Sequence, residues 1–260
     1  MTEPPNGLRG DYEFVTPEDA RAALQRGRGR GVRIALIDSG VEAGHPGLAG
    51  LELSDDVAVE TSGVRLKMRA GEGRDVYGHG TAVASILHRI APEAEIGSFR
   101  GLDERNQSRS FIIAECAQLA MERGYHIINC SFGCKGHVNY ILDFKAWVDA
   151  AYQRGIHIVS ACNNQQSNVR EWPSHFPSVI SVGMADTPSD WIGFRPGNMV
   201  EFVARGERLK VPWLGGSTKI ESGSSYAAPH IAALVARFLS VHPDAHPWTV
   251  KPLLQAVAEQ

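Results

Sequence analysis

Five short apolar runs set the strongest limit on how this chain folds. They are Arg33 to Ile37, Ile96 to Phe99, His126 to Cys130, Ile156 to Ala161 and Val179 to Val182. Most are rich in Val and Ile, and none shows a clear polar alternation. A strand of that kind is buried on both faces, which predicts a parallel sheet covered by helices rather than a sheet with one wet side. Helical patterns lie between the runs. Ser110 to Arg123 places Ile112, Ile113, Cys116, Leu119 and Ala120 on one face and stops at Gly124. Tyr140 to Arg154 repeats the plan and stops at Gly155. No repeat, linker or low-complexity segment divides the chain. Residues 11–260 therefore read as a single α/β domain, preceded by a loose leader, residues 1–10, with Pro4-Pro5-Asn6-Gly7 in it.

Composition narrows the function classes. The 260 residues are 43% hydrophobic with a formal net charge of −3, enough apolar matter for a self-standing core and too little charge for disorder. That balance points to no nucleic acid and no anionic membrane as partner. The N-terminus lacks a basic start followed by an apolar run, and no window reaches the roughly 18 apolar residues of a spanning helix. The expectation is a soluble, cytoplasmic protein. Cys116, Cys130, Cys134 and Cys162 form no CxxC pair and have no His at zinc-finger spacing, so reduced thiols, no metal and no cofactor are expected. Arg21, Arg26, Arg28, Arg30 and Arg33 crowd together among glycines. They form either a docking patch for an acidic partner or a solvated helix end.

Three segments carry polar chemistry. Asp38 ends the first apolar run, in Ile37-Asp38-Ser39-Gly40, at the sheet edge where ligands collect in parallel α/β folds. His79 lies between Gly78 and Gly80 at the start of a helical pattern over Ala82 to Leu87. Ser225 lies in Gly223-Ser224-Ser225-Tyr226-Ala227-Ala228-Pro229-His230, which leads into an apolar helix through Phe238. Alone, each has a structural reading: a turn aspartate, a structural histidine, a helix cap. Together they supply an orienting carboxylate, a base and a nucleophile. The order Asp, His, Ser is also that of the subtilisin triad.

The three motifs, DSG, HGTAVA and GSSYAAPHI, resemble those of the subtilases, the subtilisin-like serine proteases. Three further segments are similar to that family's pattern: Ile127 to Gly133, Ala161-Cys162-Asn163, and Phe176 to Gly183. Ser224 and Tyr226 depart from it, where the family has Thr and Met. The resemblance runs from about Val32 to the C-terminus. It implies the subtilisin-like three-layer fold, with a mostly parallel sheet of about seven strands flanked by helices. It also implies a serine endopeptidase in which Ser225 attacks, His79 shuttles the proton, Asp38 holds the imidazole and Asn163 steadies the oxyanion. Ser131, Phe132 and Gly133, with Ala161 and Cys162, would then flank the pocket for the residue before the cut. Glu171 would stand near its floor, either selecting a basic side chain or restricting the pocket to small ones. Leu102 to Arg109 would lie where an edge strand pairs with substrate. Arg105, Asn106 and Gln107 there either read substrate side chains or face solvent.

Two further departures shape the expected role. The stretch from Ala82 to Pro92 has no Asp, Asn or Glu, so the calcium loop of calcium-stabilised relatives is expected to be lost. Asp55, Asp56 and Asp186 leave a weak surface site open. The short stretch before the first core strand resembles forms without a prodomain. That suggests a dedicated processing enzyme whose substrate is a peptide or protein, such as a leader-bearing precursor peptide. Its competitors are a general degradative protease, a peptide macrocyclase and a non-catalytic peptide-binding pseudoprotease.

Overall fold

A computed structural model describes residues 15–62, 65–164 and 169–259. The expected leader, residues 1–10, lies outside the described residues.

Helix α1 (Pro17–Arg26) starts on a capping box: Thr16 accepts the Asp19 N–H, and the Asp19 carboxylate accepts from the Thr16 N–H. Strand β1 (Arg33–Asp38) follows, then β2 (Leu53–Ser62) and β3 (Arg65–Ala70). Helix α2 (His79–Ile90) precedes β4 (Glu95–Arg100), and α3 (Ser110–Glu122) precedes β5 (Ile127–Cys130). After the two-residue β6 (Cys134–Lys135) come α4 (Ile141–Gln153), β7 (His157–Ala161) and the two-residue β8 (Glu171–Trp172). The chain ends with β9 (Ile180–Ala185), β10 (Gly193–Phe194), β11 (Phe202–Arg205), β12 (Leu209–Trp213), β13 (Ser217–Glu221), α5 (Ser224–Leu239) and α6 (Pro247–Val257).

The main sheet has nine strands in the order β10-β11-β9-β7-β5-β1-β4-β2-β3. Every pairing from β11 to β2 is parallel, and antiparallel β10 and β3 close the two edges. The expected seven-stranded parallel sheet is thus the central part of a wider one. Alternation along β1 makes two cores. Ile34 and Leu36 join α1, α2, α5 and α6 on one face, while Ala35 and Ile37 join α3 and α4 on the other. That is the three-layer arrangement expected of strands buried on both sides.

Strand order places the site. β1 stands at the centre, with β4 on one side and β5 on the other, so successive crossovers leave it in opposite directions. The crevice at such a switch point, outside the carboxyl ends of the strands, is where this class of sheet binds ligands. Asp38 closes β1 there, Ser131 follows β5, and Cys162 and Asn163 follow β7.

The arginine cluster is largely consumed by ion pairs. Arg28 and Arg30 both reach Glu93, at 2.6 and 2.8 Å, and Arg33 reaches Asp55 and Glu95. The solvated helix end is the reading this arrangement fits. The acidic residues named for a surface cation are also engaged. Asp55 holds Arg33, Arg123 and Tyr125, Asp56 accepts the Gly73 N–H, and Asp186 holds Arg208.

Candidate active site

The site is built on two helix N-termini facing one strand end. His79 is the first residue of α2, which runs uninterrupted to Ile90. Gly78 before it has φ 108°, and a Cβ there would stand 2.7 Å from the Trp213 ring. A left-handed turn packed against an indole is a position for glycine. His79 Nδ1 lies 2.8 Å from Asp38 Oδ1 and 3.0 Å from Oδ2, and Asp38 Oδ1 also accepts the Ser39 N–H. Both side chains are buried, Asp38 at 1% exposure. With Nδ1 committed to the carboxylate, Nε2 is the ring atom left to take a proton. Burial lowers the affinity of His79 for a proton, but the Asp38 charge and hydrogen bond outweigh it, so its pKa is raised above 6.5.

Asp75 organises this pair and is absent from the sequence reading. Its Oδ1 accepts from Ser39 Oγ and from the N–H groups of Tyr77 and Gly78, and its Oδ2 accepts from Thr81 N and Oγ1. Ser39 Oγ in turn accepts the Gly80 N–H. One carboxylate thus ties the turn after β1 to the first turn of α2. An aspartate opening a turn three residues before a glycine was the available signal.

Ser225 is the second residue of α5, so its N–H belongs to the first turn, where helix geometry leaves donors without intrahelical acceptors. Pro229, four residues on, has no N–H to offer the Ser225 carbonyl. The segment after β7 is clamped to this helix start: Asn164 Oδ1 accepts the Ser224 N–H at 2.7 Å, and Ser224 Oγ donates to the Cys162 carbonyl. Asn164 is a second residue that the sequence reading passes over.

A single cavity of about 460 Å³ joins these parts. His79, Ser225 and Asn163 line it, as do Asn106, Ser131, Phe132, Gly133, Ala161, Cys162 and Glu171. Gln107 lines two neighbouring cavities instead, and Arg105 lines none of the three. The reason lies in the loop. Asp103 Oδ1 accepts the N–H groups of Arg105 and Gln107, and Asn106 adopts φ 57°, so residues 103–107 close on themselves as a turn. The expected edge strand over Leu102 to Arg109 is replaced by that turn. Tyr77, Trp213, Glu221 and Tyr226 also line the main cavity, on the side of the β12–β13 hairpin. Tyr226 packs against His79 with ring centroids 5.2 Å apart.

None of the four thiols is in a disulfide: Cys116, Cys130 and Cys162 are buried and Cys134 is half-buried. Burial pushes Cys162 up to about 11, which leaves it a wall of the cavity rather than a nucleophile. Among the described residues no cluster of three or more His, Cys, Asp or Glu could hold a metal ion. No described helix is long and apolar enough to cross a membrane.

The subtilase family model matches residues 29–260, nearly the whole chain. The chain belongs to the subtilase family. A thermophilic serine proteinase of Bacillus sp. strain AK1 is 29% identical over 221 residues, covering 81% of this chain and 52% of that protein. Subtilisin E of Bacillus subtilis strain 168 is 27% identical over 235 residues, covering 85% and 58%. This subtilase thus spans little more than half the length of those relatives. Its fold is that of a cold-adapted subtilisin-like serine proteinase of known crystal structure, with a TM-score of 0.70 at 23% identity over 89% of this chain and 83% of that one.

Proposed function

We propose that this subtilase is a serine endopeptidase working through Asp38, His79 and Ser225. The observation that carries the reading is the buried Asp38–His79 pair opening onto the same cavity as Ser225 and Asn163. The Ser225 hydroxyl attacks the peptide carbonyl while His79 Nε2 takes its proton. Asp38 keeps Nδ1 protonated and offsets the imidazolium charge as it forms. The Ser225 N–H and the Asn163 amide share the negative charge on the former carbonyl oxygen. His79 then gives its proton to the leaving amine, and water repeats the sequence on the acyl-enzyme.

Within that activity we read a dedicated processing role on a peptide or protein, of the kind that removes a leader from a precursor. In architecture the chain resembles the leader-peptide protease used in quinohemoprotein amine dehydrogenase biogenesis. Two features support a narrow cleft: the self-closed turn at 103–107 and the Glu171 carboxylate in the pocket before the cut. Four thiols outside any disulfide suit a reducing compartment such as the cytoplasm. The test compares casein with internally quenched peptide libraries. The processing reading expects poor casein hydrolysis and cleavage within a restricted sequence set; rapid casein digestion with broad peptide cleavage would replace it with a degradative role.

A further inference from the structure

Glu171 bridges the two walls of the pocket before the cut. Its Oε1 accepts from the Asn163 side-chain amide at 2.9 Å. Its Oε2 lies over Gly133 on the opposite wall, where a Cβ would stand only 2.7 Å away. Burial pushes this carboxyl up, and the Asn163 hydrogen bond holds it back. Among the described side chains no cation is paired with it.

This position has a consequence for the oxyanion. The Asn163 amide is the group that would steady negative charge on the substrate oxygen, yet it already faces a carboxylate. Two like charges sharing one amide in a partly dry pocket repel each other, whichever of the two amide hydrogens each one uses. A substrate with a neutral side chain in the pocket leaves that repulsion in place. A lysine or arginine side chain brings the compensating charge to the carboxylate itself.

We propose that Glu171 gates the oxyanion site by the charge of the substrate residue before the cut. With a neutral residue, the carboxylate holds Asn163 and opposes the developing oxyanion. With a lysine or arginine, it pairs with the entering cation and no longer opposes. Glu171 is in this sense a positioning residue acting through Asn163, and its effect falls on kcat as well as on binding. The proposal rests on the endopeptidase reading above.

The test uses the full chain and internally quenched peptide libraries, randomised except for arginine or glutamine before the cut. Wild type is expected to turn over the arginine library about tenfold faster. Glu171→Gln should raise kcat on the glutamine library several-fold while lowering kcat/KM on the arginine library. In an Asn163→Ala background the same substitution should no longer raise kcat on the glutamine library. A pocket anion that only binds cations predicts KM effects on the arginine library alone, additive with Asn163→Ala. Unchanged or reduced kcat on the glutamine library in Glu171→Gln, or an equal rise without Asn163, would overturn the gate. Fluorophosphonate labelling of wild-type Ser225 separates the two readings. Absence of label defeats the endopeptidase itself, whereas labelling without the Glu171→Gln effect defeats only the gate.

Discussion

Asn164 accepts the backbone N–H of Ser224 at 2.7 Å, joining the residue after Asn163 to the residue before Ser225. With Ser224 Oγ bonded to the Cys162 carbonyl, the end of β7 and the start of α5 are held as one piece. The proposed mechanism needs Asn163 and Ser225 held in a fixed relation, and this clamp ties the two segments that carry them.

Asn164→Ala removes an acceptor equivalent to a helix cap, worth about 1 kcal/mol. For a domain of this size the melting temperature should fall by about 2–4 °C. Turnover should fall further, by roughly tenfold to a hundredfold, because small misplacements of reacting groups are costly. Steady-state kinetics beside thermal unfolding checks this, and KM should change little.

Asp75 supports the other half of the site. Asp75→Ala leaves Ser39 Oγ, Thr81 Oγ1 and the N–H groups around them without their acceptor, at a cost of about 2–4 kcal/mol in urea unfolding. Asp75→Asn is the sharper probe. Asp75 contributes to the raised pKa of His79, although burial is the largest influence and Asp38 the next. Removing its charge should move the acid limb of kcat/KM to lower pH.

The pH dependence of the wild type follows from the same balance. Burial lowers the His79 pKa, Asp38 more than restores it, and the net shift is upward from 6.5. A general base must be neutral, so kcat/KM should rise with a midpoint above 6.5. Stability runs the other way. A raised folded pKa means the paired imidazolium contributes fully below 6.5, and that contribution is lost as pH rises through the folded value. A pH series of unfolding free energies, compared with Asp38→Asn, should show the loss only in wild type. The same variant should lose about 10⁴ in turnover.

Much of this was legible in the sequence because burial on both faces leaves long apolar runs. β1, β4, β5, β7 and β9 stand where those runs are, and the helices α3 and α4 where the periodic patterns are. β2 escaped because Asp55, Asp56 and Glu60 interrupt it, and their charges are met only in the fold, by Arg33, Arg123, Tyr125, Arg69, Arg100 and the Gly73 N–H. The β12–β13 hairpin escaped because much of it is exposed and polar, with Lys210, Thr218 and Lys219 along it. α6 escaped behind two prolines, Pro247 and Pro252. In the candidate site, Asp38, His79, Ser225 and Asn163 are carried by local motifs. Asn164, Trp213 and Glu221 reach the cavity through tertiary folding alone, and no local spacing announces them.

The core offers a test of packing. A Cβ at Gly97 on β4 would stand 1.9 Å from Tyr125 Oη, which is held by Asp55 and Ser54. Gly97→Ala should therefore cost about 1–3 kcal/mol from overpacking. Tyr125→Phe removes the nearest colliding atom but leaves Cζ at 2.6 Å, so the double variant should recover only part of that loss in chemical denaturation.

The central claim is that Ser225 is a nucleophile activated by His79 and Asp38. The most direct measurement is fluorophosphonate labelling followed by peptide mass spectrometry, run beside peptide cleavage by wild type, His79→Ala and Ser225→Ala. The predicted result is a single adduct on Ser225, greatly slowed in His79→Ala, with no cleavage by Ser225→Ala and an unchanged melting temperature. Cleavage that survives Ser225→Ala, or a wild type that takes no label at Ser225, would contradict it.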